Sequence, residues 1–166
     1  MKQEAEIQTN SIFTIGHGTR NIELFISLLK AYKIETVIDV RSIPYSRFNP
    51  QYRQSNLIAS LKDNYINYLF LGDELGGRPK DKTLYLNDKP NYAAMKNTEG
   101  FKAGIQKLLT CAENEIKVTL MCSESDPNDC HRKYLIADEL FNQDAKVIHI
   151  DKTGKLELHR PYPSLF

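Results

Sequence analysis

Five short apolar runs, the first four each followed by a turn or loop and then by a segment of helical spacing, constrain this chain more than any other feature. The runs are Ile12–Ile15, Thr36–Val40, Tyr65–Leu71, Lys117–Met121 and Val147–Ile150. They are rich in β-branched and aromatic residues and have the length of strands rather than helices. Ile22, Phe25, Ile26, Leu28 and Leu29 mark a helix from an N-cap at Asn21 to about Tyr32, and Leu57, Ile58 and Leu61 mark another over 54–63. Phe101, Ile105, Leu108 and Leu109 predict a helix to about Asn114, and Pro127 opens one from about Asn128 to Phe141. Strands alternating with helices in this way imply right-handed crossovers and a parallel sheet covered on both faces. The expected fold is therefore α/β: a three-layer α/β/α sandwich with a mostly parallel five-stranded sheet, Rossmann- or flavodoxin-like. Gly154 is expected to start a short terminal hairpin through Leu158, and residues 72–97 read as a long irregular excursion.

A length of 166 residues fits a single domain over 11–166, preceded by a polar arm over 1–10. The 41% hydrophobic content is enough for one core and excludes disorder as the main state. Lys and Arg number 22 against 21 Asp and Glu, so the net charge of +1 draws neither nucleic acid nor an anionic membrane to the molecule as a whole. Polyanion binding would need a local patch. The polar start lacks the apolar stretch of a secretory signal and no run is long enough to span a membrane, so a cytoplasmic protein without a membrane partner is expected. Cys111, Cys122 and Cys130 form no CxxC pair and are expected to be free thiols.

Ligands of parallel sheets sit beyond the carboxyl ends of the strands. There the sequence carries Gly16-His17-Gly18, Asp39-Val40-Arg41-Ser42, Asp73 to Arg78, and Cys122-Ser123-Glu124. His17 suits a general acid or base, or a donor to an anion at the next helix N-terminus; the structural alternative is a histidine bonded to its own loop. Asp39 and Arg41 are either a proton carrier and an anion holder or a buried ion pair. Cys130, followed by His131 and Arg132, has the cationic surroundings that prime a thiol, yet it shares a helical stripe with Tyr134, Ala137 and Phe141 and so also reads as a small buried hydrophobe. The spacing from Cys122 to Cys130-His131 departs from close-paired zinc sites, and no metal is expected, although His17 would complete a four-ligand set. Residues 41–62 carry Arg41, Arg47, Arg53 and Lys62 among Tyr45, Phe48 and Tyr52 with no acidic residue, a pattern suited to phosphates and stacked bases, or else to a loop with its own small core. There is no Walker A sequence, GxGxxG, G-x-S-x-G or C-x5-R loop.

Four ordered motifs, Thr14-Ile15-Gly16-His17, Asp39-Val40-Arg41-Ser42-Ile43-Pro44, Leu75-Gly76-Gly77-Arg78-Pro79, and Leu120-Met121-Cys122-Ser123-Glu124 through Pro127 to Cys130-His131-Arg132, resemble the DUF488 family of uncharacterised bacterial and archaeal proteins. The likeness runs from about residue 12 to 150 and includes Tyr92, Met95 and Phe101. Gly18 stands where the family usually has a small serine, and Ser123 where it usually has alanine. The resemblance implies a compact α/β protein whose motif residues line a common pocket, without supplying a reaction.

The leading expectation is an enzyme, a hydrolase acting on a nucleotide or nucleic-acid phosphate. His17, Asp39, Cys122 and Glu124 are its candidate catalytic residues, and Gly16, Arg41, Ser42, Arg78, Cys130, His131 and Arg132 its candidate anion-binding residues. The expected partner is a nucleotide or other phosphate-containing ligand, with nucleic acid reached through Arg41, Arg47 and Arg53. Two alternatives stand beside it: a non-catalytic nucleotide or small-anion sensor, and a thiol or redox protein using Cys122 or Cys130. No particular cofactor is implied.

Overall fold

The computed structural model describes residues 10–161, and the expected polar arm falls almost wholly outside the described residues. The chain runs β1 (Ser11–Gly16), α1 (Ile22–Ala31), β2 (Thr36–Asp39), α2 (Gln54–Asp63), β3 (Asn67–Phe70), α3 (Gly72–Leu75), β4 (Tyr85–Leu86), β5 (Lys89–Pro90), α4 (Tyr92–Met95), α5 (Glu99–Glu113), β6 (Val118–Cys122), α6 (Asp138–Asn142), β7 (Lys146–Ile150) and β8 (Leu156–Leu158). The main sheet has six strands in the order β3-β2-β6-β1-β7-β8, and every pairing is parallel except β7 with β8. The expected five parallel strands are all present. The terminal hairpin, turning at Gly154 with φ 84°, adds β8 as a sixth strand.

Alternation along the buried strands assigns each side chain to one of two cores. Phe13, Ile15, Val37, Met121 and Ile148 meet Phe25 and Leu29 of α1 and Leu57 and Leu61 of α2 on one face. Ile12, Ile38, Leu120, Cys122 and Val147 meet Phe101, Ile105 and Leu108 of α5 and Ile136 and Leu140 on the other. These are the three layers of the expected sandwich. Within them β6 runs between β1 and β2, so the Rossmann- or flavodoxin-like likeness holds for the layers and not for the strand order.

The helix ends follow their sequence signals. Asn21 caps α1 by accepting the Leu24 N–H at 2.8 Å, and Thr98 caps α5 through the Phe101 N–H at 3.2 Å. The long excursion is built from α3, a 3-10 turn at Lys82–Leu84, the small β4–β5 hairpin and α4. The helix expected over 128–141 begins only at His131 and runs unbroken to Asn142, with a π-helical stretch inside it. Pro127–Asp129 is a 3-10 turn, Cys130 is extended, Arg132–Ala137 winds as a π-helix, and only α6 is α-helical.

Beyond β1 and β2 the chain turns toward one face of the sheet, and beyond β6 toward the other. A crevice therefore opens at the carboxyl ends of these three neighbouring strands. No helix among the described residues is long and apolar enough to cross a membrane.

Candidate functional site

Three segments remote in sequence are stitched together at the crevice by backbone hydrogen bonds. The His17 and Gly18 amides donate to the Cys122 and Ser123 carbonyls, each at 2.9 Å, and the Val40 amide donates to the Met121 carbonyl at 3.1 Å. A Cβ on Gly16 would lie 1.6 Å from the Glu124 carbonyl oxygen, so glycine is what lets the loop after β6 close over the end of β1.

Under that loop His17 is buried and stacked on Tyr52, with ring centroids 4.2 Å apart and planes 12° from parallel. Its Nδ1 donates to the Gly18 carbonyl at 2.8 Å, while Nε2 has no partner among the described residues. Burial pulls its pKa down to about 4, so the ring is neutral at pH 7 with a bare Nε2 lone pair.

Asp39 and Arg41 form a forked ion pair. Arg41 Nε and Nη2 donate to the two Asp39 oxygens at 2.9 and 2.8 Å, and Nη1 donates to the Tyr52 carbonyl at 2.8 Å. The Tyr68 hydroxyl donates to Asp39 Oδ2 at 2.7 Å and the Arg41 amide to Oδ1 at 3.2 Å. The Asp39 carboxylate is thus fully buried under four donors, and the geometry is that of a pair holding the end of β2 to the 41–52 loop.

Arg132 has no exposed surface at all. Its Nη2 donates to the Ser125 carbonyl at 3.0 Å, and neither Nε nor Nη1 has a partner among the described residues. It lies beneath the loop after β6, away from the cleft wall.

The cleft itself has a volume of about 600 Å³, and Arg41, Arg78, Tyr92, Cys122, Glu124 and His131 are among the residues lining it. Ser42 fixes one wall by accepting the Arg78 amide at 2.8 Å. The guanidinium of Arg78 is exposed and forms no ion pair among the described residues. His131 donates from Nε2 to the Val40 carbonyl at 3.0 Å, which leaves Nδ1 as the acceptor for the Cys130 thiol at 3.6 Å. Gly77 packs directly on this ring, since a Cβ there would come within 2.8 Å of it. Burial, reinforced by Cys122, pushes the Cys130 thiol well above its ordinary pKa. Cys122 Sγ, Cys130 Sγ and a Glu124 carboxylate oxygen lie within 4.8 Å of one another, with both thiols buried and Glu124 exposed.

Of the sequence-derived candidates, Arg41, Ser42, Arg78, Cys122, Glu124, Cys130 and His131 line this cleft, while Gly16, His17, Asp39 and Arg132 sit behind it. Tyr92 and Asp129 also line it and were missed as site residues. The signal for Tyr92 was Pro90-Asn91, which breaks the long excursion and caps α4 through Asn91 Oδ1.

A family model described as a domain of unknown function, DUF488, matches residues 21–138. No curated protein and no solved structure matches the chain.

Proposed function

The chain belongs to the DUF488 family, and we propose that it is a hydrolase of nucleotide or nucleic-acid phosphate esters working in the cleft beyond β1, β2 and β6. The observation that carries this reading is the pairing, in one cleft, of the unpaired Arg78 guanidinium with the exposed Glu124 carboxylate. Arg78 binds the phosphoryl oxygens and Arg41, held by Asp39, supplies its remaining N–H groups. Glu124 organises the attacking water: its oxygen bonds to phosphorus as the bond to the leaving oxygen breaks, and the water proton passes through Glu124 to that oxygen. Asp39 acts through Arg41 and is a positioning residue, since four donors already occupy it.

The rings beside the cleft favour a ligand that carries bases. Phe48 is 84% exposed with Arg47 over its face at 5.5 Å, and Arg53 lies over the half-exposed Tyr45 at 4.8 Å. Such cation-backed rings offer stacking platforms. The thiol reading is weaker, because the buried Cys130 thiol is held protonated.

Turnover of a panel of nucleotides and short oligonucleotides tests the reading. Glu124→Gln is expected to lower the rate about 100-fold, and Arg78→Ala to raise KM. Ligands that raise Tm but are recovered unchanged from the wild type would replace the hydrolase with the anion sensor.

A further inference from the structure

We infer that Cys122, Cys130 and Glu124 form a binding site for a divalent, thiol-preferring metal ion, zinc by its chemistry. The donors come from the last residue of β6, the loop after it, and the residue before the π-helix, and their ligand atoms already lie within 4.8 Å of one another. Around a tetrahedral zinc with bonds of about 2.3 Å to sulfur and about 2.0 Å to oxygen, neighbouring donors stand roughly 3.5–3.8 Å apart. Closing by about 1.3 Å at most brings the three side chains to that geometry. The ion displaces the thiol protons as it binds, and two thiolates with a carboxylate then suit zinc better than magnesium or calcium, which take oxygen donors.

Three protein donors, one of them exposed to the cleft, describe an open site rather than a closed structural one. The fourth position faces the 600 Å³ cleft that Arg78 lines. The neighbours of the triangle brace it. The Arg132 amide points at Cys130 Sγ at 3.5 Å, and His131, anchored on the Val40 carbonyl, fixes the backbone that directly follows that cysteine. The third cysteine, Cys111, lies outside the group.

This site rests on the proposed hydrolase only for its role. There the ion takes a water as fourth ligand, Glu124 binds it through one oxygen, and the other oxygen is left for the proton that water releases.

Metal content and cobalt spectroscopy of the whole chain decide the matter without any turnover assay. Reduced wild type and Cys111→Ser, dialysed after exposure to micromolar zinc, are expected to retain it stoichiometrically. Cys122→Ser and Cys130→Ser are expected to bind at least about 10-fold more weakly. Cobalt in the wild type is expected to give the thiolate-to-metal charge-transfer band, a readout that needs no variant to fold. Reduced wild type that holds no more zinc than the Cys122→Ser/Cys130→Ser double variant, or cobalt without the thiolate band, overturns the site. Zinc retained without turnover of any phosphate ester supports the ion and overturns the hydrolase; turnover unchanged in zinc-free protein that rejects zinc does the reverse.

Discussion

Two polar clusters of this molecule hold the same kinds of side chain and treat them in opposite ways. Near β7 and β8 the buried chain Thr14–His149–His159–Asp138 is closed. The Thr14 hydroxyl donates to His149 Nδ1 at 2.6 Å, His149 Nε2 donates to His159 Nδ1 at 2.9 Å, and His159 Nε2 donates to Asp138 at 2.8 Å. The carboxylate at one end sets the direction of every proton along it. At and behind the cleft the polar groups are open instead. Behind it, His17 Nε2 and two nitrogens of Arg132 have no described partner, and in it Glu124 is turned outward beside two thiols. Buried polar groups are normally satisfied, so the closed chain counts toward the folding energy, whereas the open buried nitrogens are left without partners at its expense.

Acid is expected to act on a buried ring in each cluster, and more strongly on the closed one. Burial lowers His149 to about 3 and His17 to about 4, whereas the unfolded chain binds these protons near the ordinary 6.5. Between those values the unfolded state holds more protons, so stability is full above pH 6.5 and falls as the pH drops toward 3. Each buried ring contributes on the order of 3 to 5 kcal/mol to that loss, comparable to the whole stability of a small domain. Chemical denaturation at a series of pH values measures the slope. His149→Phe should lower the slope throughout that range; a slope equal to the wild type's would overturn the assignment.

At neutral pH the effect is smaller. His149→Phe leaves the Thr14 hydroxyl and His159 Nδ1 without their partner, at a cost of about 2 kcal/mol, with the activity of the folded fraction unchanged. Glu124→Gln should move stability by less than about 0.5 kcal/mol. The reverse ranking in urea titrations would mean that the closed chain is dispensable. The least change belongs to Phe48→Ala, which should weaken oligonucleotide binding about 5-fold, the low end for one stacked base. Mononucleotide turnover should stay the same in that variant, and a loss there instead would assign Phe48 to the cleft.

The sandwich was legible because strand and helix periods are local properties. Val37-Ile38 and Leu120-Met121 read as strands wherever they pair. Tyr65, expected at the start of the third strand, sits in a turn with φ 59° and is 97% exposed, and the strand begins only at Asn67. Its side chain has the composition of a strand residue, but the turn closing α2 decides its backbone. The site was legible in part for a similar reason. Strand ends of a parallel sheet gather at one edge, and Cys122, Glu124 and Arg78 meet in the cleft there. What spacing could not show is that Asp39 and Arg41 satisfy each other, or that the Cys130 stripe with Tyr134 and Phe141 is broken by a π-turn, which leaves Phe141 half-exposed.

The wide winding of Arg132–Ala137 also acts as an angular spacer. An α-helix advances about 100° per residue and a π-turn, with its wider i→i+5 ring, roughly 80°, so winding the same residues as a regular α-helix would swing everything before them about a quarter-turn around the α6 axis. His131 would then lose the Val40 carbonyl, and the two sulfur atoms would part company. The width of winding in this short segment thus sets the aim of Cys130.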